Sequence, residues 1–124
     1  MSNLPKLIRD GIPKLIRERG ASPKIRLLDS EELNSWLVRK LREEVSEFEK
    51  MPSIEELADI LEVVISLTVN LGVTFEDVEK ERKRKFLERG GFQQGICSRT
   101  LRSLSNFKFH RSSVSSVSGI KLCG

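Results

Sequence analysis

The sequence of 124 residues contains few of the side chains on which many catalytic and metal sites depend. It has one histidine, two cysteines, one tryptophan and no tyrosine. A single histidine, His110, argues against a Ser–His–Asp or Cys–His catalytic centre. The thiols of Cys97 and Cys123 have no second pair and no clustered histidines beside them, which excludes a zinc motif and a disulfide scaffold. Any chemistry must therefore come from carboxylates, basic side chains and a bound metal.

Long apolar runs are also absent. The longest mostly apolar stretch extends from Ile60 to Leu71 and is interrupted by polar residues, whereas a membrane-spanning helix needs about 20 apolar residues. Lys6, Arg9 and Asp10 occupy the positions where a signal peptide would have its apolar core. The sequence therefore predicts a cytoplasmic protein without a membrane partner.

Acidic residues are missing from the C-terminal segment. All 18 acidic residues lie between Asp10 and Glu88. Residues 97–124 hold five bases and eight serines without a sustained period, so the formal charge of +4 belongs to this segment. We predict a domain at residues 1–96 and a flexible basic tail at 97–124. The overall basicity is weak evidence for nucleic-acid binding, and such binding is not expected.

Residues 1–96 have the periodicity and capping signals of helices. Asp29 and Ser53 are favourable N-caps, and each is followed three residues later by a glutamate. Pro13, Gly72 and Gly90 mark further helix boundaries. The alternation at 24–27 allows a short extended piece. The predicted fold class is all-α, with helices at about residues 13–19, 30–50, 54–71 and 75–89.

The second long helix is apolar on two nearly opposite sides. One stripe is broad, and it comprises Ile54, Leu57, Ala58, Leu61, Val64, Ile65 and Leu71. The other is Ile60, Val63 and Leu67. A helix with two apolar sides is buried between layers or between subunits, and we expect the narrower stripe to be covered by another subunit.

Four carboxylates fall where the apolar pattern predicts buried surface. Glu44 lies inside the apolar arc of the first long helix and Glu47 lies at its edge, while Glu56 and Asp59 flank Val63 on the second. The connection is short, so the helices should be antiparallel and the carboxylates should converge on a hard cation such as Mg²⁺. The pattern leaves alternatives: Glu56 as a capping partner of Ser53, Glu47 as a solvated residue, and ion pairs of Glu44 and Asp59 with Arg39, Lys40 or Arg42.

Three segments resemble one family in the right order. The pairs in "KLREEVSEFEK" and "SIEELADILEVV" look like the E-x-x-E and E-x-x-D signature of the all-α nucleoside triphosphate pyrophosphohydrolases, which include MazG and phosphoribosyl-ATP pyrophosphohydrolase. "LPKLIRDGIPKLI" resembles the opening of one MazG-like subgroup, and "RKFLERGGFQQGI" resembles its closing motif. Gly11 replaces a lysine of that opening, and residues 97–124 match no part of the family.

The resemblance implies a MazG-like helical bundle completed by dimerisation, as a homodimer or higher homo-oligomer. The implied activity is Mg²⁺-dependent (or Mn²⁺-dependent) hydrolysis of a nucleotide between its α- and β-phosphates, plausibly to sanitise the nucleotide pool. By position, the metal ligands would be Glu44, Glu47, Glu56 and Asp59. Glu44 or Glu47 would also orient the attacking water. Phosphate contacts would come from the basic residues of the terminal motifs, Lys6, Arg9, Lys85 and Arg89.

Two other functions remain open at this point. The same motif serves phosphoribosyl-ATP hydrolysis in histidine synthesis. A non-catalytic helical dimer that binds nucleic acid through its basic tail is the alternative from a different class, although the tail has few aromatic residues.

Overall fold

The computed structural model describes residues 4–99. It contains four helices, α1 (Ile12–Glu18), α2 (Ser30–Lys50), α3 (Ile54–Leu71) and α4 (Phe75–Arg89). No strand occurs within these residues, and the segment 24–27 is irregular because no neighbouring strand pairs with it. The all-α prediction is therefore confirmed. The predicted tail at 97–124 lies almost entirely outside the described residues.

The chain divides into two compact units, Met1–Phe75 and Glu76–Gly124. The first unit contains α1, α2 and α3, and the second contains α4 apart from its first residue. The predicted boundary after Ile96 stays a prediction.

The helix ends lie where the capping residues predict them. The Asp29 carboxylate accepts a hydrogen bond from the Glu32 backbone N–H (2.8 Å), and the Ser53 hydroxyl accepts one from the Glu56 N–H (3.1 Å). These bonds satisfy backbone donors that an α-helix leaves unpaired at its first turn. Gly72 follows α3 with a φ of 90°, a left-handed conformation that glycine adopts without steric cost.

Helices α2 and α3 form an antiparallel pair. Only residues 51–53 connect them. At the opposite end of the pair, the Asn70 side-chain amide donates to the Ser30 carbonyl oxygen, and the Ser30 hydroxyl donates to Asn70 Oδ1, both at 3.1 Å. The start of α2 therefore lies beside the end of α3, as the short connection predicts.

The core of the pair contains Leu37 of α2 and Val63 of α3, which are both buried. The expectation that a second subunit buries the Ile60–Val63–Leu67 stripe is wrong for Val63, which is already buried within one chain, while Ile60 and Leu67 are half-buried. This side of α3 also carries Glu56 and Asp59, which approach Glu44 of α2, so it faces α2. The uncovered side is the broad stripe, where Ile54, Leu57 and Leu61 are 86%, 53% and 49% exposed.

The second unit contains a buried charge that the sequence pattern did not indicate. Glu88 of α4 is only 1% exposed, and its Oε2 accepts a hydrogen bond from Arg84 Nη1 at 2.7 Å. Arg84 also donates to both carboxylate oxygens of Glu81. Within the described residues, Glu88 Oε1 has no hydrogen-bond partner. Arg84 therefore compensates a carboxylate that would otherwise be buried alone.

Among residues 4–99, no single helix is both long enough and apolar enough to cross a membrane.

Candidate metal centre

Three of the four predicted ligands converge where α2 approaches α3. One carboxylate oxygen from each of Glu44, Glu56 and Asp59 lies within 4.8 Å of the other two. These three residues are called the carboxylate cluster below. Glu44 projects from α2, while Glu56 and Asp59 project from the first two turns of α3. The antiparallel pairing places the two motifs side by side.

Glu47, the fourth predicted ligand, does not belong to the carboxylate cluster. It lies one turn after Glu44 on α2, and its carboxylate is 3.7 Å from Lys50 Nζ. It is nevertheless close enough for its charge to act on Glu56, as described next. The structure thus places Glu47 at the periphery of the cluster.

The pKa of Glu56 reflects both its partial burial and the negative charge around it. Partial desolvation raises the pKa of Glu56, and the neighbouring charges of Asp59, Glu44 and Glu47 raise it further. A carboxylate among like charges is stabilised by protonation or by a bound cation. The side chain of Glu44 is only 12% exposed, which adds to the cost of leaving the cluster uncompensated.

Two basic residues partly compensate this charge. Arg9 Nη2 donates to Asp59 Oδ1 at 2.6 Å, and Lys40 Nζ lies 3.3 Å from Glu44 Oε1 and 3.0 Å from Glu43 Oε2. Burial alone would lower the pKa of Lys40, but its bonds to Glu43 and Glu44 outweigh burial and raise it. The three carboxylates therefore still exceed their two nearest cations by one charge.

These contacts show which of the predicted ion pairs and capping bonds form. Of the three predicted basic partners, Lys40 pairs with Glu44, whereas the Arg39 guanidinium lies over the Trp36 ring, 4.5 Å from its centroid. The capping bond at Ser53 uses the backbone N–H of Glu56. The carboxylate of Glu56 therefore takes part in the cluster while its backbone completes the cap.

The partner of Asp59 is Arg9, a pairing that the sequence did not predict. Arg9 was predicted as a phosphate contact from the resemblance, and here it pairs with Asp59. Fifty positions separate the two residues, and an irregular segment carries Arg9. No periodic or capping signal links them, so only the tertiary structure reveals the pair.

The other predicted phosphate contacts are all exposed. Lys6 lies in the segment before α1, beside Trp36 and Lys40. Lys85 and Arg89 lie in the last two turns of α4, within the second unit. Their roles in binding phosphate stay predictions.

The donor set of the cluster fits a hard divalent cation. Mg²⁺ and Ca²⁺ bind carboxylate oxygens at roughly 2.0–2.6 Å, so ligand atoms around one ion lie within about 5 Å of each other, as these oxygens do. The set contains neither sulfur nor imidazole, which disfavours zinc and copper. Glu44, Glu56 and Asp59 are thus the residues that would hold the ion.

Comparisons of the chain with protein-family models, with curated protein sequences and with solved structures give no match. A function must therefore be inferred from the residues of this chain.

Proposed function

We propose that the protein is a Mg²⁺-dependent nucleoside triphosphate pyrophosphohydrolase, with Mn²⁺ as a possible substitute. Its products would be a nucleoside monophosphate and pyrophosphate. The observation that carries the proposal is the carboxylate cluster, in which Glu44, Glu56 and Asp59 meet across two antiparallel helices. These are three of the four acidic positions of the E-x-x-E and E-x-x-D motifs, and the opening and closing segments resemble the same family.

The carboxylate cluster is suited to hold the cation against a triphosphate. The side chain of Glu44 is 12% exposed and that of Asp59 is 38% exposed, so the cluster extends from the helix interface to the surface. Glu44, Glu56 and Asp59 would hold the ion, which would supply charge neutralisation for the phosphates and activation of a water molecule.

Glu47 is proposed to accept the proton of the attacking water. Its side chain is 47% exposed and outside the cluster, so it is not needed to hold the ion. In the proposed reaction, the water oxygen bonds to one of the two phosphorus atoms and one water proton passes to Glu47. The bond from that phosphorus to the oxygen that bridges the α- and β-phosphates breaks, and the other phosphate group leaves with the bridging oxygen. A general base must lie within hydrogen-bond reach of the water, and Glu47 borders the cluster.

Basic residues would neutralise the phosphate charge that the cation leaves. Lys6 and Arg9 belong to the same compact unit as the carboxylate cluster. Arg9 already lies against Asp59, so a phosphate at the cluster would find a guanidinium beside it. Lys85 and Arg89 are proposed for the same role from the closing motif alone.

We also propose that two copies associate through the exposed broad stripe of α3. Ile54, Leu57 and Leu61 form a row of large apolar side chains that one chain leaves exposed. Contiguous exposed apolar surface commonly marks an interaction site. A second copy is the proposed occupant because the family resemblance implies an assembly of helical subunits.

The activity is tested by measuring pyrophosphate release from a panel of nucleoside triphosphates, and from phosphoribosyl-ATP, with and without Mg²⁺. We expect Mg²⁺-dependent release of pyrophosphate and monophosphate from at least one triphosphate. Phosphoribosyl-ATP as the only substrate would favour the histidine-synthesis alternative. Absence of product from every compound would refute the enzymatic proposal.

Two variants separate the proposed roles of the glutamates. Glu44→Gln should lose both Mn²⁺ binding and hydrolysis, because a neutral amide is a weaker ligand for a hard cation. Glu47→Gln should keep Mn²⁺ binding but lose roughly 100-fold or more in kcat, the usual contribution of a general base. Glu49→Gln, an exposed substitution on the same helix, is the control and should change neither.

A further inference from the structure

The first unit contains a small groove. The segment before α1 and one face of α2 line it, and its volume is about 160 Å³. Drug-sized ligands occupy pockets of roughly 300–1,000 Å³, so this groove suits a single planar ring system. The lining residues used below are Pro5, Leu7, Trp36, Arg39, Lys40 and Glu43.

The lining combines flat apolar surface with a few polar groups. Pro5, Leu7 and the Trp36 ring supply the apolar part, and the Arg39 guanidinium stacks over Trp36 at 4.5 Å. Aromatic rings and guanidinium planes are the surfaces on which nucleic-acid bases stack. The ring and the stacked guanidinium fit a heterocyclic base. The cations Lys6, Arg39 and Lys40 in the same lining also attract a phosphate, so the test below includes an anion.

Glu43 gives the groove a preference among bases. Its carboxylate is 41% exposed and accepts from Lys40 through Oε2. An ionised carboxylate accepts several hydrogen bonds and donates none. It can therefore accept a further bond from an exocyclic amino group, whereas a carbonyl oxygen at the same place would be repelled.

Lys40 links the groove to the candidate metal centre. Lys40 lines the groove, and its Nζ reaches both Glu43 and Glu44. The segment before α1 also runs from the groove to the cluster, since it contributes Pro5 and Leu7 to the groove and Arg9 to Asp59. This shared residue and segment are the basis for placing the rest of a ligand, seated by its base in the groove, toward the cluster.

We propose that this groove binds the base of the nucleotide, stacked on the Trp36–Arg39 pair, and selects bases with an exocyclic amino group through Glu43. The placement of the triphosphate at the cluster rests on the proposed function, but binding of the base does not. Adenine is therefore preferred over hypoxanthine, and cytosine over uracil, because the members of each pair differ in that amino group.

Fluorescence titration tests the proposal, because Trp36 is the only tryptophan of the chain and lies in the groove. The probes are adenosine, inosine, cytidine and uridine, added to the full chain without metal and excited at wavelengths that the bases do not absorb. We expect saturable quenching by adenosine or cytidine that is stronger than by its partner lacking the amino group. Glu43→Gln should reduce that preference roughly tenfold, as expected for the loss of a bond to a charged acceptor.

Calorimetry provides the second readout. Nucleoside binding should persist in Trp36→Phe, which keeps an aromatic face, and should be lost in Trp36→Leu; Glu49→Gln is the control for Glu43→Gln. Quenching by inorganic pyrophosphate but by no nucleoside would overturn the proposal in favour of an anion site. No saturable change with any nucleoside up to millimolar concentration would also overturn it.

The two proposals fail separately. If the protein binds nucleosides but releases no pyrophosphate from any triphosphate, the proposal of base binding in the groove stands and the proposed hydrolase activity is refuted. Hydrolysis that is equally fast for ATP and inosine triphosphate, and that is unaffected by Trp36→Leu, would sustain the hydrolase and refute the groove.

Discussion

The protonation of Glu56 links the carboxylate cluster to stability. Desolvation and the charges of Asp59, Glu44 and Glu47 raise the pKa of Glu56, so the folded protein binds a proton more tightly there than the unfolded chain does. Ionisation of Glu56 therefore destabilises the fold, and this penalty is complete above the raised pKa. It disappears as pH falls through the raised pKa toward the unfolded value.

We expect metal-free protein to gain stability as pH falls through this window. Urea unfolding at a series of pH values should show the gain in wild type and in Glu49→Gln, and a flatter profile in Glu56→Gln. Saturating Mg²⁺ should reduce the difference, since a cation compensates the ionised cluster. Identical profiles for wild type and Glu56→Gln would contradict the assigned repulsion.

Arg9 is expected to compete with a metal ion for the carboxylate of Asp59, because its guanidinium already pairs with it. The pair is 2.6 Å long with both side chains largely accessible, so its own contribution to stability is about 0–1 kcal/mol. Arg9→Gln should therefore change stability little but tighten Mn²⁺ binding, roughly 3- to 30-fold at low salt, because a positive charge beside the site is removed. Isothermal titration measures the change.

The control for Arg9 is Arg26→Gln, which removes the same charge from an exposed ion pair with Glu32. It should leave Mn²⁺ affinity unchanged. The effect of Arg9→Gln should also shrink as ionic strength rises. Weaker Mn²⁺ binding in Arg9→Gln would show that Arg9 organises the cluster instead of competing with the ion.

At the scale of the helix, the cap of α3 anchors the turn that carries Glu56 of the candidate metal centre. Ser53 fixes the first turn, which carries Glu56, through the bond to its N–H. Ser53→Ala should cost about 1 kcal/mol and weaken Mn²⁺ binding, because that turn loses its anchor. Ser53→Asn keeps a capping oxygen and should retain both properties; equal loss in the two variants would contradict a capping role.

In α4, Arg84 should matter more than its exposed neighbours. Arg84→Met leaves Glu88 buried without its hydrogen-bonded cation, and uncompensated buried charge is strongly destabilising. Thermal unfolding should show a larger loss than for Arg82→Met, which removes an exposed pair with Glu79. Replacing Glu88 with Leu in the Arg84→Met background should recover stability. A loss no larger than that of Arg82→Met would contradict the pairing.

The helices were largely predictable because their ends carry local signals. Asp29, Ser53 and Gly72 act through bonds and dihedral angles within a few residues, so their effect does not depend on the tertiary structure. The convergence of Glu44, Glu56 and Asp59 was predictable for a related reason. The connection at residues 51–53 is so short that α2 and α3 must run antiparallel.

Three features could not be predicted from such local signals. Helix α3 is apolar on both sides, so its periodicity does not reveal which side packs on α2, and the expectation for Val63 was wrong. The pairing of Arg9 with Asp59 depends on the path of an irregular segment, and the burial of Glu88 depends on packing. None of these leaves a periodic mark in the sequence.

At the scale of the whole molecule, the uncovered stripe of α3 predicts self-association. Leu57→Asp places a charge in the stripe and should convert a dimer to a monomer in size-exclusion chromatography with light scattering. Asn34→Asp, which adds the same charge at an exposed position of α2, should leave the dimer intact. A wild-type protein that is monomeric at high concentration would contradict the proposed assembly.

The Arg9–Asp59 pair also has a consequence for the order of folding. Helices α2 and α3 meet through a connection of three residues, and such local contacts form early because little loop entropy is lost. The pair with Arg9 closes a loop of fifty positions and forms later. We therefore expect α2 and α3 to bring their carboxylates together before Arg9 pairs with Asp59. Repulsion between the carboxylates should then slow refolding, so a divalent cation or a lower pH should speed it.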